Sequence, residues 1–104
     1  MEISELKKIS DRSYDVALAK RNALEKARSR MLLAHGGHLF NADAETINLV
    51  KTMSDDHDSF YMLDANENPV LIDSPKEFLG LLKAKNQEAL NTYHQAYQQL
   101  TTIR

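Results

Sequence analysis

The chain has no cysteine and no tryptophan, only two prolines and three glycines among 104 residues, and no long hydrophobic run. Without cysteine there is no disulfide framework, no thiolate zinc site and no cysteine nucleophile, so a metal would have to be held by histidine and carboxylates alone. The opening stretch MEISELKKISDRSYD mixes charges and lacks the apolar segment of about 7 to 15 residues that marks a secretory leader. No segment approaches the roughly 20 apolar residues that span a bilayer. The expectation is a soluble protein with no signal peptide, no transmembrane segment and no membrane partner. At 42% hydrophobic residues, the chain suits one modest domain over residues 1–104.

Catalytic signatures are missing as well. There is no G-x-S-x-G, H-E-x-x-H, phosphate-loop or dinucleotide-binding motif. The chain therefore reads as a non-enzyme, with no catalytic residues, no cofactor and no cofactor-binding residues assigned.

A net charge of −2 conceals a strong segregation of sign. Residues 1–40 sum to +3, residues 41–77 to −7 and residues 78–104 to +2. The basic patch is KRNALEKARSR, where Lys20, Arg21, Lys26, Arg28 and Arg30 oppose a single Glu25. Nucleic-acid sites pair a basic face with aromatic platforms, and no aromatic residue lies between Tyr14 and Phe40. This pattern reads as a solvated helix face, or one paired with the acidic middle segment, and argues against nucleic acid as a partner.

From residue 3 to residue 34 neither proline nor glycine interrupts a stretch rich in Ala, Leu, Lys, Arg and Glu, which predicts one long helix. Its expected buried stripe passes through Leu6, Ile9, Ser13, Val16, Lys20, Ala23, Ala27, Arg30 and Ala34. A second long helix is predicted over residues 74–103. Ser74 as N-cap, Pro75 at the first helical position and Glu77 at the third form a capping-box pattern. Leu82, Asn86, Ala89, Tyr93, Ala96, Leu100 and Ile103 then keep the alternating four-and-three spacing of a coiled-coil seam. Between the two lies a capping segment, residues 35–73. It should hold a short helix capped by Asp43, with Asn41 as the second choice, and with Ile47, Val50 and Met53 on one face, and a β-hairpin of Phe60 to Leu63 and Val70 to Ile72 around the turn DANENP. His38 to Phe40 could add a third strand. The fold class is α+β and mostly helical: two long antiparallel helices with a short helix and a β-hairpin between them.

Two clusters invite a chemical reading. His35 and His38 flank Gly36 and Gly37, and with Asp55, Asp56, His57 and Asp58 they are the candidate metal ligands of an alternative function, a small metal- or ligand-binding module. The glycines make a continuous helix through both histidines improbable. The preferred reading ends the first helix at Gly36 or Gly37, with His35 in its last turn against the negative end of the helix dipole. No metal site is then assigned. In the last helix Asn86, Tyr93, His94, Tyr97 and Leu100 are the candidate protein-interface residues, since aromatic rings bury much area while their polar tips stay wet.

The order of these features resembles a small domain of unknown function found in bacteriophage tail-fibre and tail-fibre-assembly proteins. The resemblance is carried by Gly37, Phe40 and Asp43, by Asp64 and Asn66, by Val70 and Ile72, and by Ser74 and Glu77, over roughly residues 15–104. This chain departs from the pattern before Asp64, where Phe60 and Tyr61 stand in place of a tryptophan. The resemblance implies a viral structural, adaptor or assembly role, virion-associated or in the host cytoplasm during assembly, with another viral structural protein as partner and no catalytic residues to carry over. Two long helices leave apolar surface uncovered, so a homo-oligomer, most simply a dimer, is expected.

Overall fold

The computed structural model describes the backbone of residues 3–102 and the side-chain surroundings of residues 14–100. Helix α1 (Ile3–Ser29) leads into strands β1 (Leu32–His35) and β2 (His38–Asn41). Helix α2 (Ala44–Asp56), strands β3 (Phe60–Leu63) and β4 (Pro69–Ile72), and helix α3 (Pro75–Thr102) complete the chain. The class is α+β and mostly helical.

The end of α1 differs from the expectation. The sequence predicts a helix that runs to residue 34 and stops at the glycines; the helix ends at Ser29. The amides of Arg30 and Met31 close it with bonds to the carbonyls of Ala27 and Arg28, the tightened i to i+3 pattern of a final turn. Residues 32–35 are instead extended, paired antiparallel with residues 38–41 in the register Leu32 with Asn41, Leu33 with Phe40, Ala34 with Leu39 and His35 with His38. Gly36 and Gly37 form the two-residue turn, both at positive φ (59° and 81°), the pattern a type I′ hairpin turn requires. His35 is therefore a strand residue and gains nothing from a helix dipole.

Helix propensity lost this contest because its stakes are small, less than about 1 kcal/mol per residue for ordinary side chains. The hairpin seats Phe40 at 1% exposure in the core and turns Leu33 inward beside it. The Ala42 amide then bonds the Met31 carbonyl at 2.8 Å, sealing the hairpin base.

The later elements form close to where the sequence places them. Asp43 caps α2, its Oδ1 accepting the Thr46 amide at 2.9 Å, and Val50 on the inward face is fully buried. Strands β3 and β4 pair Phe60 with Ile72, Tyr61 with Leu71, Met62 with Val70 and Leu63 with Pro69. Strand β2 does not join this second hairpin as a third strand; the two hairpins are separate sheets, linked where the Ala65 amide donates to the Leu39 carbonyl.

One hydrophobic core sits at this end of the molecule: Phe40, Ala42, Val50, Phe60, Met62, Ile72, Phe78 and Leu82, ringed by half-buried Met31, Leu33, Ile47, Met53, Val70 and Leu79. Away from that head, α1 and α3 run side by side as an arm. Lys20 meets Tyr97, and eleven residues further along α1, Met31 meets Asn86, so the two helices are antiparallel. Of the stripe expected on α1, Ala23 and Ala27 face inward, whereas Val16, Lys20 and Arg30 are exposed. Leu6, Ile9 and Ser13 of that stripe, and Ile103 of the α3 seam, lie outside the described side chains. The result is elongated, 66 × 23 × 22 Å with a radius of gyration of 19.4 Å. A compact chain of this length would have about 13 Å.

Candidate functional site

The buried polar centre of the head is Asp64, at the point where β3 enters its turn. The turn begins as DAN, and aspartate at its first position is suited to bonding the backbone two residues on. One carboxylate oxygen, Oδ1, accepts the amides of Asn66 and Asn68, both at 2.8 Å. The other, Oδ2, accepts from His38 Nδ1 at 3.0 Å and, at 3.5 Å, from the Asn68 side-chain amide. The Asp64 amide bonds the Asn68 carbonyl and the Asp64 carbonyl takes the Glu67 amide, closing the loop on itself. Glu67 is left at φ 63°, the left-handed position where glycine is usual.

These donors fix the charge of the site. The Asn68 amide is the largest influence holding the Asp64 carboxyl below the usual carboxylate range; burial works against it, and His38, Asn66 and the Asn68 side chain reinforce it. The Asp64 side chain is 1% exposed, while the His38 side chain is 39% exposed. The pair ties the first hairpin to the second. A carboxylate on Nδ1 sets the imidazole orientation and leaves Nε2 directed away from it.

The histidines of the HGGH stretch are cross-strand partners. They serve different neighbours: His35 lies against Phe78, ring centroids 5.1 Å apart, and His38 belongs to Asp64. The candidate ligands Asp55, Asp56, His57 and Asp58 occupy the exposed C-terminal end of α2 and the turn after it. Among the described residues no group of three histidine, aspartate or glutamate side chains is gathered closely enough to hold a metal ion. No helix of the described residues is long and apolar enough to cross a membrane.

The α3 candidates divide by depth. Asn86 is committed within the chain, its amide donating to the Ala42 carbonyl at 2.9 Å and approaching Met31 Sδ at 3.9 Å. It thus pins the loop into α2 against α3. Tyr93 and Leu100 are half-buried, His94 is exposed, and Tyr97 is 40% exposed with the Lys20 ammonium 5.6 Å from its ring centre. An open groove of about 500 Å³ runs beside Asn86, floored by Leu24, Met31 and Leu90 and edged by Arg28 and Asp43.

Sequence reasoning missed Asp64 as the hub, treating its segment as a turn. The Asp-Ala-Asn pattern signalled the local bonds, but the bond from His38, 26 residues away, had no sequence signal. Exposed apolar side chains are the other feature: Tyr14 and Leu18 on α1, and Tyr61, Leu63 and Leu71 on the second hairpin. Compared with protein-family models, curated proteins and solved structures, the chain matches none.

Proposed function

We propose that this protein is a non-enzymatic structural, adaptor or assembly component of the phage tail-fibre type, working through protein–protein contacts and associating with copies of itself. The observation that carries this reading is the shape of the molecule. A small head with one packed core carries a two-helix arm, and large apolar side chains stay exposed on both. Such surfaces favour partners over small molecules, because contiguous apolar patches on soluble proteins mark interaction sites. The Asp64–His38 tie supports the same role: it spends its polar groups on holding two marginal hairpins together, which presents their outer faces as a rigid surface. The viral setting rests on the resemblance carried by Gly37, Phe40, Asp43, Asp64 and Ser74. The protein then acts in the host cytoplasm during assembly or on the virion, with another viral structural protein as partner.

The test is genetic and visual. Deleting the coding sequence from the phage or prophage that carries it should leave filled heads but fibreless or incomplete tails in electron micrographs. Normal particles and normal infectivity, or a coding sequence standing apart from phage structural genes, would overturn the viral assignment.

A further inference from the structure

Local preference and tertiary placement disagree over the segment that follows α1. Arg30, Met31, Leu32, Leu33 and Ala34 are strong helix formers in an unbroken row, and alanine is depleted in strands. Residues 32–35 nevertheless form β1. Natural sequences mostly agree across these levels, so a segment where they conflict is where a second arrangement lies close to the first.

What holds β1 extended is held by its neighbour. No β1 residue is buried: Leu33 and His35 are half-buried, and Leu32 and Ala34 are exposed. The anchors belong to β2, where Phe40 packs on Phe78, His38 bonds Asp64, and the Leu39 carbonyl accepts the Ala65 amide at 2.7 Å. Beyond its pairing with β2, β1 has only the Leu33 side chain at the edge of the core and the His35 ring on Phe78. Two-stranded pairing is marginal in water. Strand β2 can therefore keep its place on the head when β1 leaves it.

The helical form has a place to go. Between the contact of Lys20 with Tyr97 and that of Met31 with Asn86, each helix advances eleven residues. At the same pace position 35 falls beside Leu82, well inside α3, and β1 already packs on α3 there. The inward face of α1, Ala23 and Ala27, continues at helical spacing through Met31 and Ala34, and such small residues allow close approach. Gly36 at φ 59° holds the left-handed conformation of a residue that follows a helix, so it ends a helix at His35 as readily as it opens the hairpin turn. The chain lengths agree as well. From Met31 to His35 is roughly 13 Å as strand and about 6 Å as helix, and the three steps from His35 through the glycines to His38 reach about 10 Å when extended.

We infer that residues 30–35 are a strand-to-helix switch: β1 peels from β2 and α1 lengthens to His35 along α3, while β2 stays on the head. The paired strand is the ground state. The lengthened form leaves β2 with one edge unpaired, so the switch converts a closed hairpin into an open strand edge. It operates whatever the protein binds.

Gly37→Val separates the two forms. The hairpin turn needs positive φ at both glycines, and Gly37 stands at 81°; a helix ending at His35 needs it at Gly36 alone and accepts an apolar residue one position later. The substitution destabilises the paired strand and spares the lengthened helix. Backbone NMR chemical shifts of the full chain should place residues 31–34 in strand in wild type and in helix in the variant, with α3 unchanged, and far-ultraviolet circular dichroism should gain helix. Strand or coil shifts at residues 31–34 in a variant whose α3 stays helical would overturn the switch. If the variant does not fold, saturation-transfer NMR of wild type decides at the same positions: a minor state with helical shifts supports the switch, and a coil-like minor state, or none, overturns it.

Discussion

Replacing Phe78 with alanine probes whether the head is the structural foundation of the whole molecule. Phe78 lies in the first turn of α3, is 1% exposed, and meets the edge or face of Phe40 at 4.8 Å and 74°. Its other side touches His35 at 5.1 Å. Truncation removes the ring from both hairpin contacts and leaves a cavity that Phe40, itself 1% exposed and held by strand pairing, cannot collapse to fill. Buried Phe→Ala changes cost about 3–5 kcal/mol, against a total stability of roughly 5–15 kcal/mol for a domain. For a chain of this size each kcal/mol is worth about 4 °C or more in melting temperature, so Phe78→Ala should fall by no less than about 12 °C. Urea unfolding followed by helical circular dichroism gives the free energy directly. The midpoint should drop with the slope unchanged, and the arm should melt with the head, because few of its described side chains are buried. Leu49→Ala, 47% exposed on the outer face of α2, is the control and should cost under about 1 kcal/mol. A Phe78→Ala loss no larger than the Leu49 control would refute the reasoning.

Three further outcomes are expected. Gly37→Val should destabilise by about 1–2 kcal/mol through backbone alone, since φ is 81° and an added Cβ meets nothing within 4 Å, while Gly36→Asn should be milder; equal melting curves for wild type and Gly37→Val would contradict the turn assignment. Glu67→Gly should raise stability by about 0.5–1 kcal/mol by relieving the left-handed position at φ 63°, and a lowered melting temperature would count against it. Asp64→Asn should lower the melting temperature at neutral pH. Because the folded carboxyl is held below its unfolded value, its contribution is present above the unfolded value and lost as pH falls through the folded one, so the gap between wild type and variant should close in acid. A gap independent of pH would mean that the carboxylate charge is irrelevant to the loop.

Determined by the sequence alone were the features whose physical cause is local. The Asp43 cap needs only a side chain within reach of the amide three residues on, and it formed as read. The α3 seam survives because burial follows helical pitch: Leu82 and Ala89 are buried, and Asn86, Tyr93, Ala96 and Leu100 are half-buried. The 60s hairpin was legible from two apolar runs around a turn-rich loop of five residues. Tertiary structure decided what depends on a partner distant in the chain. Residues 30–35 left the helix because pairing with residues 38–41 seated Phe40 against Phe78, a gain larger than the small local preference for continuing the helix. The glycines accordingly became a hairpin turn and the two histidines acquired different neighbours. Asp64 became the hub only once folding brought His38 to it. The apolar outer face of the second hairpin was present in the sequence all along, but only the register of the strands, which puts Tyr61 opposite Leu71 and Leu63 opposite Pro69, showed which side chains share one exposed face.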